Sequence, residues 1–124
     1  MKLRLRGNSL RLRLSQTDLR VFLETGAVRE TTAFGGDSAL TYALEAADEE
    51  GVRARFEGGT LRVTVPSTEA RDWATSERVS ISAEQPLTAS GARLTVLIEK
   101  DFACLKTRSG EDERDAFPNP HDSC

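Results

Sequence analysis

The chain repeats a pattern in which aliphatic and polar residues alternate. With an offset of 51, the segment Leu10–Leu14 aligns with Leu61–Val65, and after three additional residues Leu40–Glu45 aligns with Leu94–Glu99. The same order of element types recurs along both stretches. Self-similarity at a fixed spacing indicates a duplicated structural unit, and it restricts the folds open to the chain more than any single motif does.

Each half is predicted to begin with a β-hairpin that is closed by a two-residue turn, Gly7–Asn8 in the first half and Gly58–Gly59 in the second. Alternation along the strands places the apolar side chains on one face and the cations on the other. The predicted cross-strand pairs are Leu5 with Leu10, Leu3 with Leu12, Arg4 with Arg11, Lys2 with Arg13, Phe56 with Leu61, Ala54 with Val63, Val52 with Val65 and Arg55 with Arg62.

A short helix is predicted after each hairpin, because Ser15 is a plausible N-cap and Phe22 and Trp73 belong to matching apolar stripes. In the alignment of the repeats, Val28 lies opposite Val79. The further predicted strands are residues 27–33, 39–46, 78–84 and 93–102. The predicted fold class is therefore α+β. A duplicated ββαββ unit gives eight mostly antiparallel strands that form a strongly curved sheet or a barrel, with two short helices outside.

The length of 124 residues predicts a single domain, with repeat units over residues 1–47 and 51–101 and an extended C-terminal tail over residues 106–124. The net charge of −3 and the pI of about 5.2 argue against a general nucleic-acid binder. The sequence contains no secretion signal and no apolar run of membrane-spanning length, so we expect a cytoplasmic protein without a membrane partner. The sequence identifies no protein partner.

Charge is segregated along the chain, since the first 13 residues hold five cations and no acid. Like charges directly opposite each other on paired strands destabilise a sheet, so the polar face needs compensating charge. Three readings stay open: an internal ion-pair network, arginines extended into water, or a small anionic ligand. The candidate anion-binding residues are Arg4, Arg11, Arg13, Arg53, Arg55 and Arg62. The carboxylates expected on the same face are Glu45, Glu99 and Asp101.

An eight-stranded barrel with inward-pointing arginines and glutamates resembles the triphosphate tunnel (CYTH-like) fold. Its members hold a polyphosphate on basic side chains and a divalent metal on acidic ones. The resemblance implies Mg²⁺ or Mn²⁺ on Glu45, Glu99 and Asp101, and a metal-dependent phosphohydrolase as one alternative function. That family opens with an alternating-glutamate strand, whereas this chain opens with Lys2 and Arg4. We therefore expect binding of a phosphate-bearing ligand without turnover, and a divalent metal is the only cofactor that the alternative function implies.

The stretch EKDF-x-CL, a following ED and an FPNP ending, together with the start MKLRLRGNSLRLRL, resemble a small bacterial family of unknown function. This resemblance covers nearly the whole chain and implies a cytoplasmic single-domain protein without an assigned activity. From its composition, we expect the tail to dock through Phe117 and its acids to cover part of the basic face.

Zinc provides a third hypothesis, in which Cys104, His121 and Cys124 act as ligands of a zinc-stabilised interaction module. Structural zinc sites have four ligands in two close pairs, and only three obvious ligands are present. Cys104 beside Phe102 and Leu105 fits the alternative of a small buried apolar residue. Because the sequence has one histidine and lacks phosphate-loop and metalloprotease motifs, the leading expectation is a non-catalytic domain.

Overall fold

The computed structural model describes residues 1–88, 91–102 and 117. Its elements are β1 (Lys2–Arg6), β2 (Ser9–Leu14), α1 (Gln16–Thr25), β3 (Ala27–Gly35), β4 (Ser38–Ala47), β5 (Arg53–Glu57), β6 (Thr60–Pro66), α2 (Ser67–Thr75), β7 (Ser80–Pro86) and β8 (Arg93–Lys100). The predicted α+β class, the eight strands and the two short helices are confirmed. No helix in the described part of the chain has the length and apolar character needed to cross a membrane.

The two N-terminal hairpins have the registers that their turns predict. Gly7 has a φ of +52°, and Gly58 and Gly59 have φ values of +56° and +77°, which a primed two-residue turn requires and glycine adopts without strain. Arg4 lies opposite Arg11, and the other predicted pairs follow in the same registers. The exception is the pair of Val52 with Val65, because β5 begins only at Arg53.

The strands divide into two four-stranded sheets. Sheet 1 has the order β1-β2-β8-β7, and sheet 2 has the order β3-β4-β6-β5. Each sheet therefore takes one hairpin from each half of the chain. The hairpins join through parallel pairs, β2 with β8 and β4 with β6, while the other four pairings are antiparallel.

The same turn-to-strand contact appears in both sheets. The N–H of Thr95 donates to the carbonyl of Asn8 at 3.0 Å, and the N–H of Thr41 donates to the carbonyl of Gly59 at 2.9 Å. Since Asn8 and Gly59 are equivalent positions of the two hairpins, the duplication extends to the way in which the halves are joined.

The apolar faces of both sheets line one core. Fully buried side chains of sheet 1, such as Leu12 and Ile98, belong to the same cluster as Leu44 and Val63 of sheet 2. Both helices add to this cluster, and burial of such side chains contributes about 1.5–3 kcal/mol each. The rings of Phe22 on α1 and Trp73 on α2 meet edge to face at 6.3 Å, and the Trp73 Nε1 atom donates to the Val79 carbonyl at 3.0 Å.

The charged faces of the sheets point away from this core. Because successive side chains of a strand alternate between faces, burying Leu12 and Leu14 sends Arg11 and Arg13 outward. Arginines that a barrel would point inward, such as Arg11, therefore point away from the core. The eight strands form two curved sheets and no closed barrel among the described residues.

Side chains bridge the two seams between the sheets. At one seam the Gln85 side chain of β7 donates to the Ala54 carbonyl at 3.0 Å and accepts from the Ala54 N–H at 2.8 Å. At the other seam the N-terminal ammonium group of Met1 donates to Glu30 of β3 at 2.7 Å. These contacts take the place of the backbone ladders that would close a barrel.

Strand β7 differs from its prediction in phase. The prediction began it at residue 78 and matched Val79 to Val28, but β7 begins at Ser80 and Val79 is exposed. Ile81 pairs with Ile98 as Val28 pairs with Leu44, so the offset there is 53. The Val79 carbonyl instead accepts hydrogen bonds from Trp73 Nε1 and from the N–H of Lys100. Val79 therefore lies just before the first residue of β7.

Candidate functional site

The outward face of sheet 1 gathers arginines around one carboxylate. The Nε atom of Arg13 lies 2.5 Å from Oε1 of Glu99, and the Nε atom of Arg11 lies 3.7 Å from the same oxygen. The side chains of Arg11, Arg13 and Glu99 are 20%, 16% and 18% exposed. Arg4 lies directly opposite Arg11 on β1. We call these four residues the Glu99 cluster.

The parallel joining of the two halves creates this cluster. Arg11 and Arg13 share a face because they are two residues apart on β2. The β2–β8 register sets Glu99 directly beside Arg13. The negative charge of this carboxylate from the last strand thereby offsets part of the repulsion between the cations that alternation places together on one face.

Among residues 1–88 and 91–102, the outward face of sheet 1 carries more cations than carboxylates. At its helix-proximal end, Lys2 donates to Asp101 at 2.9 Å, and at the far edge Arg93 lies 3.6 Å from Glu84. The cations of this face are Lys2, Arg4, Arg6, Arg11, Arg13 and Arg93, and the carboxylates are Glu84, Glu99 and Asp101. The face is thus predominantly cationic, in contrast with the acidic composition of the chain.

Sheet 2 carries an equivalent carboxylate, Glu45, at the position that the repeat relates to Glu99. The Glu45 side chain lies 3.2 Å from Nε of Arg62 and 3.4 Å from an Nη atom of Arg29. Arg62 and Arg29 flank Ala43, which is buried beneath them although it lies on the outward parity. This Glu45 cluster is more exposed than the Glu99 cluster.

Thr64 replaces the second arginine in sheet 2. It is buried, and its hydroxyl donates to Glu49 at 3.1 Å. Glu49, from the loop before β5, also pairs with Arg55 at 3.3 Å. Arg53 is exposed and makes no ion pair with the described residues. The loop therefore adds a carboxylate to the face of sheet 2 that has no counterpart on sheet 1 within residues 1–88 and 91–102.

The six candidate arginines lie on the polar parity of their strands and point away from the core, but they do not form one surface. Arg4, Arg11 and Arg13 belong to sheet 1, and Arg53, Arg55 and Arg62 belong to sheet 2. Internal neutralisation, one of the readings left open by the sequence, is observed at Glu45, Glu99 and Asp101.

The sequence analysis missed Arg29 and Glu49. Arg29 follows the buried Val28 on β3, and side chains alternate between the two faces of a strand. This alternation identifies Arg29 as an outward residue. Glu49 lies in the loop between the halves, where no periodicity applies, and sequence reasoning had no signal for it.

The proposed metal ligands do not converge in the described part of the chain. Glu45 lies in sheet 2, whereas Glu99 and Asp101 belong to sheet 1 and its end. No group of three or more histidine, cysteine or acidic side chains placed for a metal ion occurs among residues 1–88 and 91–102. The zinc candidates Cys104, His121 and Cys124 lie outside the described residues. Phe117 is 96% exposed, so the docking expected through it is not observed.

Comparison with known proteins identifies a family. The model described as "Family of unknown function (DUF7009)" matches residues 1–121. No curated protein and no solved structure matches the chain, so the resemblance to the triphosphate tunnel fold is not confirmed. The match to the family model covers almost the whole sequence, and the chain belongs to the DUF7009 family of unknown function.

Proposed function

We propose that the protein is a non-catalytic cytoplasmic domain that binds a small phosphate-bearing anion on the outward face of sheet 1. The observation that carries the proposal is the Glu99 cluster, in which one carboxylate holds two largely buried arginines side by side. Each guanidinium group has five N–H donors in a rigid fork, a geometry that binds several anionic oxygens at once.

Preorganisation favours binding at this place. Free arginine side chains lose about 2 kcal/mol of rotamer entropy when a ligand fixes them. Arg11 and Arg13 are already restricted by Glu99 and by the neighbouring strand, so less of that cost remains. The surplus of cations on the same face supplies the field that attracts an anion.

Sheet 1 is a better candidate than sheet 2. The equivalent face of sheet 2 has Thr64 in place of an arginine and carries Glu49 in addition to Glu45. Both differences reduce its positive charge. The duplicated architecture therefore provides a matched control within one molecule, because Arg11 and Arg62 occupy equivalent positions.

The test uses thermal unfolding and ¹⁵N NMR of the full chain with phosphate, pyrophosphate and tripolyphosphate, each with and without Mg²⁺. We expect tripolyphosphate to raise the Tm and to shift signals of β2 and β8. The variants Arg11→Gln and Arg13→Gln should lose the increase. Arg62→Gln in sheet 2 and Arg71→Gln on the exposed face of α2 should keep it, although they remove the same charge.

Two results would contradict the proposal. If no polyvalent anion changes the Tm, the arginines serve only the internal network. If the protein with Mg²⁺ releases phosphate from tripolyphosphate, and the rate depends on Glu99, the protein is a hydrolase and the non-catalytic assignment is wrong.

A further inference from the structure

The two seams between the sheets differ, although the repeat relates them. Gln85 closes one seam by binding the backbone of Ala54. The offsets of the repeat put Thr32 in the place of Gln85 and Leu3 in the place of Ala54. Thr32 is exposed, and its shorter side chain makes no hydrogen bond to Leu3. Among the described residues, the hydrogen bonds near the seam between β1 and β3 are those of Met1 with Glu30 and Tyr42, and none bridges β1 to β3 in the way that Gln85 bridges β7 to β5.

Strand β1 presents unused backbone groups to this opening. A two-residue turn closes on a hydrogen-bonded pair, here Arg6 with Ser9, and such pairs alternate along an antiparallel ladder. Arg4 and Lys2 therefore also bond to β2, and the N–H and C=O groups of Leu3 and Leu5 point to the edge. Within residues 1–88 and 91–102, no hydrogen bond satisfies these edge groups.

The second hairpin supports this assignment of directions. On β5, the same count from the Glu57–Thr60 pair makes Ala54 an edge-directed residue. Both backbone groups of Ala54 do leave the ladder and bind Gln85. The alternation of ladder-directed and edge-directed residues is thus observed on β5. At the β1 edge, Thr32 occupies the position that Gln85 has at the β5 edge.

The two faces of β1 differ in chemistry. Lys2, Arg4 and Arg6 lie outward at intervals of two residues, which is about 6.6 Å along a strand. On the opposite face, Leu5 is 65% exposed. A strand added at this edge would meet cations on one face and apolar groups on the other.

We propose that the β1 edge binds an extended segment of a partner protein in which carboxylates alternate with apolar residues. Its backbone pairs with the N–H and C=O groups of Leu3 and Leu5, its carboxylates face the cations of β1, and its apolar side chains cover Leu5. Addition of a strand to a free edge is a general mode of peptide recognition, and exposed edges attract such pairing. The proposal shares Arg4 with the anion site but differs from it in its backbone contacts, because anion binding does not use the N–H and C=O groups of Leu3 and Leu5.

The experiment measures amide hydrogen exchange of the full chain by ¹⁵N NMR, with and without a synthetic peptide of alternating glutamate and valine with blocked ends. Exchange at Leu3 and Leu5 is expected to slow about tenfold or more, because these amides gain hydrogen bonds. Exchange at Lys2 and Arg4 should stay as it is, because their amides already bond to β2. No slowing at Leu3 and Leu5 would overturn the proposal.

Methylated peptides provide a control that leaves the protein unchanged. Methylation of every second peptide nitrogen on the side that faces β1 should abolish the slowing, and methylation of the alternate set should preserve it. Equal slowing by both peptides, or by a peptide of alternating lysine and valine, would contradict strand addition. Tripolyphosphate should leave the exchange of Leu3 and Leu5 unchanged, which separates this proposal from the anion site.

A protein variant completes the test. Leu5→Pro removes one edge-directed N–H and keeps the ladder to β2, which edge strands tolerate. It should weaken binding of the glutamate–valine peptide at least tenfold, whereas Phe56→Pro, at the equivalent position of β5, should not. Unchanged binding by a folded Leu5→Pro variant would overturn the proposal, and if that variant does not fold, the methylated peptides decide.

Discussion

Arg13 and Glu99 form an ion pair between strands that are 86 residues apart in sequence. Nε of Arg13 lies 2.5 Å from Oε1 of Glu99 because β2 and β8 are parallel neighbours in sheet 1. The pair fastens one half of the chain to the other on the face opposite the core. Its removal should therefore affect folding as well as charge.

Replacement of Glu99 by alanine is expected to lower the free energy of unfolding by about 1–3 kcal/mol, because it leaves the arginines of the cluster in mutual repulsion. Added salt should restore part of the loss by screening. Urea unfolding at low and high ionic strength measures both effects. Glu84→Ala removes a carboxylate that is 62% exposed and should change stability by no more than about 0.5 kcal/mol. Equal losses in the two variants would disprove a special role of Glu99.

Trp73→Ala should cost about 3–5 kcal/mol, since the side chain is fully buried against Phe22 and loses its bond to the Val79 carbonyl. Trp73→Phe keeps most of the volume and should cost less. Chemical unfolding followed by circular dichroism compares the variants, because they lack the only tryptophan. Phe56→Ala, at an exposed site, serves as the control, and a loss similar to that of Trp73→Ala would contradict the observed core.

Asp18 predicts a dependence of stability on pH. Burial alone would raise the pKa of its carboxyl group, but hydrogen bonds from the Met1 ammonium group and from Ser15 outweigh burial and hold the pKa below its ordinary value of 3.8. A carboxyl group with a lowered pKa stabilises the fold above its unfolded pKa, and this contribution disappears as pH falls through the folded pKa.

Asp18→Asn should therefore cost about 1–2 kcal/mol at pH 7 and little at pH 2, because the neutral amide loses the attraction to the Met1 ammonium group but can still accept from the Ser15 N–H. Thermal unfolding between pH 2 and pH 7 measures the difference. Glu24→Gln on the same helix is exposed and should give a curve parallel to that of the parent protein. A constant difference between Asp18→Asn and the parent at all pH values would refute the electrostatic explanation.

In the second hairpin turn, Gly59 is expected to tolerate substitution less well than Gly58. Its φ is +77°, and an added Cβ atom would lie 3.1 Å from the Ala39 carbonyl oxygen. Gly58 also has a positive φ, but an added Cβ there meets nothing within 4 Å. Both alanine variants pay the left-handed cost of about 1–2 kcal/mol, and Gly59→Ala should lose further stability. Urea unfolding compares the two, and equal losses would show that the contact with Ala39 is relieved without cost.

Local chemistry made the hairpins predictable from the sequence. Turn glycines and strict alternation determine which residues face each other, so the pairing of Arg4 with Arg11 needs no information from the rest of the chain. The joining of β2 to β8 has no comparable signal, because nothing near Arg13 specifies that Glu99 lies beside it. For the same reason the sequence predicted one polar face where the fold has two. The phase of β7 was missed because Val79 continues the apolar pattern but is held outside the strand by its carbonyl.

The exchange of hairpins between the halves makes the chain equivalent to a strand-swapped dimer whose two subunits are joined by a peptide linker. A fragment of residues 1–47 contains two hairpins that belong to different sheets, and each lacks its parallel neighbour. Neither half can complete a sheet alone. We therefore expect that cleavage within the linker at residues 48–52 leaves two fragments that fold only when they associate. Fusion of a two-fold symmetric ancestor has this outcome, and it allows the two faces to diverge while the halves remain inseparable.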